Sequence, residues 1–160
     1  MIIECDTRQQ KQEHIIKAFD KAGIKYIRNK LYCGDYKRVD SPRVIIDTKK
    51  NLLEMSGNLC RTTEHARLKR EIARACDIGC ERFIFLIADS KIKNMNEVHS
   101  WIVPTRRDGS KYTKVAPSTL EKIMKTMNEK YGVEFMFCKR KDMGSYIIKL
   151  LENNEVNYVR

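Results

Sequence analysis

The sequence predicts an α/β domain built on a central mixed β-sheet of about six strands, with helices on both faces. Short apolar or β-branched segments alternate with amphipathic segments of helical period, which is the pattern of a layered α/β domain. Residues 83–88 form one continuous apolar run, typical of a central strand covered on both sides. Residues 33–51 contain two strand-like segments around turn residues 39–43, so we expect one antiparallel pair within the sheet.

The composition indicates one soluble domain with a polyanionic partner. A chain of 160 residues can bury a core without disulfides, so we expect a single domain over residues 1–160. The net charge is +11, and a surface this basic favours nucleic acid as the partner. The alternative is a lysine-rich surface that only keeps the protein in solution.

The sequence also predicts an intracellular, cytoplasmic protein that does not enter a membrane. No apolar run approaches the roughly 20 residues of a membrane span, and the chain begins with strand-like sequence rather than a signal peptide. Three of the six cysteines are expected to pack in strands as small hydrophobic residues: Cys5, Cys33 and Cys138. The other three, with His65, offer a zinc-site alternative that lacks a C-x-x-C signature: Cys60, Cys76 and Cys80.

The first 50 residues predict four strands and one helix. Residues 1–6 and 24–27 are predicted strands, and the hairpin supplies two more. The helix is expected to open at residues 6–9 and to end at Gly23. Its apolar residues recur at helical spacing: Ile15, Ile16, Phe19 and Ala22.

Residues 50–79 predict two helical pieces interrupted at Gly57 and Asn58. The first piece is expected to pack through Leu52, Leu53 and Met55. The second is expected to pack through a set of small and branched residues: Ala66, Ile72, Ala73, Cys76 and Ile78.

The last 70 residues predict alternating helices and one strand. A weak helix over residues 94–101 precedes a basic loop insertion or small hairpin at about 104–117. Ser118 is the predicted N-cap of a helix that runs through Lys130. A strand at 133–138, a helix at 143–151 and a frayed tail at about 154–160 complete the chain.

Two carboxylates in the hairpin indicate a functional site. If the turn centres on Ser41, Asp35 lies opposite Asp47 on the neighbouring strand, on the order of 5 Å away. Such a pair is repulsive, so a divalent cation between the two explains it better than fold stability does. We therefore predict a Mg²⁺ or Mn²⁺ site held by Asp35 and Asp47.

Asp6 and Lys49 extend this site. Asp6 ends the first predicted strand and would be a third metal ligand if that strand neighbours the hairpin. Lys49 shares a strand face with Asp47, where it could position or activate the water that attacks a phosphodiester. Asp-x-Lys and Gly-Asp-Tyr are each common by chance, so the prediction depends on their combination. The candidate catalytic residues are Asp6, Asp35, Asp47 and Lys49.

Basic residues near this site predict contacts with DNA. The helix after the hairpin concentrates positive charge over residues 61–74. Residues 104–117 combine basic residues with Tyr112, which suits a DNA-binding arm, although an exposed connection explains them equally well. The predicted DNA-binding residues are Arg8, Arg61, Arg67, Arg70, Arg106, Arg107, Lys111 and Lys114.

Three motifs resemble the nuclease domain of the XPF family, a branch of the PD-(D/E)XK superfamily: Asp6-x-Arg8-Gln9, Gly34-Asp35-Tyr36 and Asp47-Thr48-Lys49. The family pattern is D-x-R-E, then G-D-[YF], then E-R-K-x-x-x-D followed by a basic helix. The resemblance covers nearly the whole chain. It implies a restriction-endonuclease-like fold and a metal-dependent endonuclease that cuts flaps, forks or junctions in DNA repair or recombination. The resemblance also implies dimers formed through the last two helices. The apolar faces of these helices are explained equally well as parts of the hydrophobic core of a monomer.

The sequence departs from this pattern at several positions. Asp47 replaces glutamate, Thr48 replaces arginine and Gln9 replaces the glutamate of the first motif. Leu53 occupies the place of the later aspartate, with Glu54 beside it. These changes leave open a degenerate nuclease fold that binds DNA or a partner protein without cutting.

The resemblance also bears on organisation and on the basic helix. Arg67 and Glu71 correspond to an Arg-x-x-x-Gln sequence of the family's basic helix. The helicase and helix-hairpin-helix regions of longer relatives do not occur in these 160 residues, so we expect a stand-alone domain. Such a domain would find its substrate alone, as a homodimer or through a protein partner.

Overall fold

A computed structural model describes residues 1–9 and 12–153 and contains a six-stranded mixed sheet. The strands are β1 (Ile2–Asp6), β2 (Lys25–Asn29), β3 (Tyr36–Arg38), β4 (Ser41–Lys49), β5 (Arg82–Ala88) and β6 (Glu134–Cys138). Their spatial order is β2-β1-β3-β4-β5-β6. Strand β3 is antiparallel to both β1 and β4, and every other neighbouring pair is parallel. The predicted tail at 154–160 lies outside the described residues.

Helices cover both faces of the sheet, which confirms the predicted fold class. They are α1 (Glu13–Lys21), α2 (Leu52–Cys60), α3 (Thr62–Asp77), α4 (Pro117–Tyr131) and α5 (Met143–Glu152), with short 3₁₀ helices at Met95–Ser100 and Arg140–Asp142. Helices α1 and α5 pack on one face, and α2, α3 and α4 pack on the other. No helix in the described part of the chain is long and apolar enough to cross a membrane.

Strand β5 divides the core into two halves. Phe83, Phe85 and Ile87 face α2, α3 and α4, whereas the alternate residues of β5 face α1 and α5. The apolar faces of the two last helices belong to these cores: Leu120, Met124 and Met127 in α4, and Met143, Ile147, Ile148 and Leu151 in α5. The residues that could have formed a dimer interface are therefore core residues of the single chain.

Three predicted helix boundaries are wrong. Helix α1 begins at Glu13 because Asp6 still belongs to β1 and the Thr7 amide donates to the Asn29 carbonyl. Helix α2 continues through Gly57 because Leu59 extends its buried stripe beyond the glycine, and the break falls at Arg61. Helix α4 is capped by Ala116 rather than Ser118, because proline with its fixed φ occupies the first helical turn.

The packing of this region also differs from the sequence prediction. Helix α3 buries Leu68, Ile72 and Ala75, whereas Ala66, Ala73 and Cys76 are exposed. The buried stripe follows the larger side chain of Leu68, because a leucine removes more apolar surface from water than an alanine does. Leu53 is only half-buried and lines two surface recesses.

The cysteines are reduced and do not gather at a metal site. Cys5, Cys33 and Cys138 are buried as predicted, although Cys33 lies before β3 rather than in a strand. Within residues 1–9 and 12–153, no group of three or more His, Cys, Asp or Glu side chains is arranged to hold a metal ion. The zinc alternative therefore has no assembled ligand set in this part of the chain.

Within residues 104–117, a small hairpin forms around residues 105–111, and residue 117 already begins α4. Thr105 and Lys111 make an isolated antiparallel bridge, and the Arg106 amide donates to the Ser110 carbonyl at 2.7 Å. Gly109 closes the turn with φ of +83°, a conformation that favours glycine.

Helix α5 approaches α1 closely at Gly144. A Cβ atom there would lie 2.4 Å from the Ala18 Cβ and 3.1 Å from the Ile15 carbonyl oxygen. We expect Gly144→Ala to lower the free energy of unfolding by about 1–3 kcal/mol, since the two helices would have to separate. Urea unfolding followed by circular dichroism measures this loss, and adding Ala18→Gly should recover part of it.

The matched control for Gly144 is Gly57, which is also helical. A Cβ on Gly57 would meet only the Arg61 side chain, at 3.8 Å. Gly57→Ala should therefore raise the free energy of unfolding by about 0.5–1 kcal/mol through helix propensity. Equal stability of Gly144→Ala and the parent protein would contradict the close packing of α1 on α5.

Candidate active site

Three aspartates lie side by side, one in β1, one just before β3 and one in β4. The pairing aligns Cys5 with Tyr36 and Tyr36 with Ile46. One residue further along this row are Asp6, Asp35 and Asp47, and the Asp6 amide donates to the Asp35 carbonyl at 2.8 Å. All three aspartates are buried, at 3–6% exposure. The fold thus brings together acidic residues that are distant in sequence.

The hairpin reaches this arrangement through a β-bulge. Arg38 pairs with Ser41, but the next pair is Lys37 with Ile45. The turn therefore does not centre on Ser41 as predicted. The bulge between Lys37 and Arg38 shifts the register, and Asp35 still lies one residue beyond the pair of Tyr36 with Ile46.

Asp35 accepts three hydrogen bonds in a buried setting. Gln9 Nε2 donates to its Oδ1 at 2.6 Å, and the amide and hydroxyl of Thr48 donate to its Oδ2 at 2.8 and 2.7 Å. Burial, and then the charge of Asp47, raise the pKa of Asp35 to about 7 in spite of these bonds. A positive charge next to this carboxyl would therefore stabilise its ionised form.

Asp47 forms a buried ion pair with Lys49. Lys49 Nζ lies 2.8 Å from Asp47 Oδ1, and both side chains are at most 10% exposed. Burial is the largest single effect and lowers the pKa of Lys49, but the charge and hydrogen bond of Asp47, together with the charges of Asp35 and Glu54, outweigh it, so the pKa is raised. The ammonium group therefore stays protonated beside the two carboxylates, where it can stabilise negative charge on a bound anion.

Asp6 has a different partner from the other two aspartates. Arg8 Nε donates to its Oδ2 at 2.7 Å, and Arg8 Nη2 also donates to the Leu31 carbonyl at 3.0 Å. The side chain of Arg8 is 55% exposed, so Asp6 holds a guanidinium group at the rim of the site.

Asp35 and Asp47 are the pair that suits a divalent cation. They are adjacent and buried, and burial together with the charge of Asp47 opposes ionisation of Asp35. Magnesium prefers oxygen ligands and retains several waters when few carboxylates hold it. Two adjacent carboxylates fit that preference.

The turn before Asp35 is fixed by a glycine and by helix α3. Gly34 has φ of +67°, and a Cβ there would lie 2.3 Å from Ile45 Cγ2. The Gly34 amide donates to Glu71 Oε1 at 2.9 Å. Glu71 thus ties α3 to the residue that orients Asp35.

A cavity of about 330 Å³ opens beside Lys49, between α1, α5 and the end of β4. Four basic residues line it: Arg8, Lys49, Lys50 and Arg140. The Nε2 atoms of Gln12 and His14 also lie here and have no hydrogen-bond partner within the described residues. Burial and then the charge of Arg140 lower the pKa of His14. The Gln12 amide nitrogen gives the wall a hydrogen-bond donor in addition to its positive charge.

The predicted DNA-binding residues fall into two groups. Arg8, Arg67 and Arg70 are exposed near β1 and on α3, and Arg67 pairs with Glu64 at 2.6 Å. Arg61 meets the small hairpin, where Arg106 and Lys114 line the same recess of about 320 Å³. Arg107 and Lys111 are exposed on that hairpin.

Sequence reasoning missed the supporting roles of Gln9, Thr48 and Glu71. Gln9 and Thr48 were noted only as departures from a motif, yet both donate hydrogen bonds to Asp35. The available signal was chemical, because amide and hydroxyl donors close to a buried carboxylate in sequence can satisfy its oxygens. The contact of Glu71 with Gly34 spans 37 residues and left no local signal.

The ERCC4 domain family model matches residues 5–151, a range that includes all four candidate catalytic residues. The chain belongs to the ERCC4 domain family. No curated protein sequence matches it.

Solved structures resemble this ERCC4 domain in fold. XPF from Aeropyrum pernix matches with a TM-score of 0.66 and 17% identity, over 95% of this chain and 64% of that one. XPF from Aeropyrum pernix in complex with DNA matches with a TM-score of 0.64 and 16% identity, over 94% and 63%. The chain thus spans slightly less than two thirds of each relative.

The raised pKa of Asp35 makes stability depend on pH in metal-free protein. The folded state keeps this proton up to about pH 7, whereas the unfolded chain loses it near the ordinary value of 3.8. Between these values the folded state binds more protons, so this carboxyl makes stability fall as pH rises, by up to about 1.4 kcal/mol per pH unit.

Asp35→Asn should remove this dependence. Its stability gain over the parent protein should grow from about pH 4 to about pH 7 and then stay constant, as measured by urea unfolding in EDTA. Asp40→Asn is the control, because Arg38 holds the pKa of that exposed carboxyl below its usual value. A gain for Asp35→Asn that is flat across this pH range would contradict the assigned shift.

Proposed function

We propose that this ERCC4 domain is a Mg²⁺- or Mn²⁺-dependent endonuclease that hydrolyses phosphodiester bonds in DNA. The buried pair of Asp35 and Asp47 beside Lys49 carries this proposal, since adjacent carboxylates with a retained ammonium group suit a cation and a phosphate together. The match to XPF from Aeropyrum pernix in complex with DNA supports DNA as the polymer.

Each residue at the site has a separate role in this proposal. A divalent cation held by Asp35 and Asp47 would polarise the phosphodiester and lower the pKa of the attacking water. Lys49, held by Asp47 at 2.8 Å, positions that water and stabilises charge on the phosphate. Asp6 acts as an orienter that directs Arg8 towards a phosphate. It does not join Asp35 and Asp47 in a three-ligand metal group within the described residues.

Residues around Asp35 hold its carboxylate in a fixed orientation. Three hydrogen bonds from Gln9 and Thr48 fix both of its oxygens, so the carboxylate is oriented before any ligand arrives. Glu71 holds the preceding turn through the Gly34 amide. Thr48, where relatives carry arginine, thus contributes donors to the site instead of a charge.

The basic surface supports binding of branched DNA. Arg8 at the rim, Arg61 beside α2 and the exposed residues of the 104–117 hairpin offer positive charge on several sides of the carboxylates. We infer a preference for flaps, forks or junctions, as in repair or recombination. Because the apolar faces of α4 and α5 are buried, a homodimer or a protein partner would use other surfaces.

A second candidate is a degenerate nuclease fold that binds DNA without cutting. Two observations favour it. Lys49 already compensates Asp47, and Leu53 provides no carboxylate where relatives have aspartate. This alternative requires salt-dependent DNA binding without metal-dependent cleavage.

Cleavage of labelled flap, fork and linear DNA tests the main proposal. With Mg²⁺ or Mn²⁺ we expect nicking that EDTA abolishes. Asp35→Ala and Lys49→Met should each lower the rate by at least about 100-fold, as expected when a charge-stabilising group is lost. Lys149→Ala, on exposed α5 surface, is the matched control and should cut at the parent rate. Equal cleavage by Asp35→Ala would assign the activity to another site or a contaminant.

Metal binding separates the two candidates without requiring turnover. Isothermal titration with Mn²⁺ should give heat and proton release for the parent protein near pH 7, because binding drives Asp35 to ionise. Asp35→Ala should give neither signal, whereas Asp40→Asn should behave like the parent. Binding of DNA in the absence of any metal signal would favour the non-cutting fold.

A further inference from the structure

The exposed side of α2 carries a groove that the proposed chemistry does not use. One recess of about 280 Å³ lies beside Lys50 and Glu54 at the start of the helix. A second, of about 320 Å³, lies between α2 and the hairpin of residues 104–117. The recesses form one groove because they share three lining residues: Leu53, Gly57 and Arg61.

One end of this α2 groove meets the candidate active site. Lys50 follows Lys49 directly, and Lys50 and Glu54 also line the cavity beside Lys49. Helix α2 has nine residues, which corresponds to about 14 Å. That length spans about four nucleotides at the 3.4 Å spacing of stacked bases.

The charge of the groove suits a phosphate chain. Arg61, Arg106 and Lys114 line it, and none of the three forms an ion pair with another described residue. Its two carboxylates are already engaged. Glu54 accepts from the Lys50 amide at 2.7 Å, and Glu64 pairs with Arg67. The groove therefore presents a net positive surface along its length.

The far end of the groove carries a planar platform. Tyr112 is 49% exposed, and the Arg106 guanidinium lies 5.2 Å from the centroid of its ring. Tyrosine rings and arginine planes bind unpaired bases by stacking, without strong sequence preference. Bases inside a duplex already stack on one another, so this platform favours a single strand.

Gly57 forms the middle of the groove without a packing reason. A Cβ there would touch only the flexible Arg61 side chain, at 3.8 Å, although glycine inside a helix is less stable than alanine. Gly57 lines both recesses. The missing side chain leaves room for a strand to approach the helix backbone.

We propose that the α2 groove holds the unpaired strand of a branched DNA substrate, from Lys50 beside the scissile phosphate to Tyr112. Gly57 is its floor, and Tyr112 with Arg106 stacks a base. The identification of the strand as DNA rests on the proposed function.

Fluorescence anisotropy in EDTA tests the groove apart from cleavage. The probes are a labelled oligodeoxythymidylate of about eight nucleotides and a duplex of the same length. Gly57→Leu and Tyr112→Ala should each raise the Kd for the single strand about tenfold and change the Kd for the duplex by less than about twofold. Lys149→Ala, on the exposed surface of α5 and outside the groove, is the control and should bind like the parent.

The outcomes separate this proposal from the nuclease proposal. Thermal unfolding confirms that Gly57→Leu and Tyr112→Ala are folded before binding is measured. Parent-like binding by both variants, equal weakening for duplex and single strand, or no binding of the oligonucleotide by the parent protein would overturn the groove. If the groove variants weaken binding but no metal-dependent cleavage is seen, the groove proposal is supported and the nuclease proposal is contradicted.

Discussion

The structure depends on a buried carboxylate held next to another one. Asp35 lies within the sheet beside Asp47, and burial with like charge raises its pKa to about 7. The fold offsets this cost with donors from Gln9 and Thr48 and with the ammonium of Lys49. Such an arrangement weakens the metal-free protein, so its presence is better explained by ligand binding than by stability.

The sheet topology explains why the site forms at this edge. Strands β1 and β4 both end here, which places Asp6 and Asp47 to either side of Asp35 at the start of β3. Helix α2 begins at Leu52, three residues after Lys49, so the α2 groove starts next to the candidate active site. A rigid core strand, β5, fixes β4 in position from the opposite side.

The sequence was sufficient for the fold class and the carboxylate pair, because both depend on local patterns. The apolar run at 83–88 predicted the central strand, and alternation in the hairpin placed Asp35 opposite Asp47. Helix boundaries failed where tertiary packing overrides propensity, as at Gly57. Two features could not be predicted from the sequence: the hydrogen bond of Glu71 with Gly34, and the recess that Arg61 and Arg106 line together. Each requires the folded arrangement of segments that are distant in sequence.

The β-bulge separates the length of the hairpin turn from the position of the carboxylates. From Arg38 to Lys37 strand β3 advances one residue, while β4 advances four, from Ser41 to Ile45. In a regular ladder, one inserted residue would turn every following side chain to the opposite face. Here the irregular segment between the pairs Arg38–Ser41 and Lys37–Ile45 can change in length without altering the register of the residues that follow. The turn is therefore a site where related chains can vary in length, or accept a grafted loop, while Asp35 and Asp47 remain side by side.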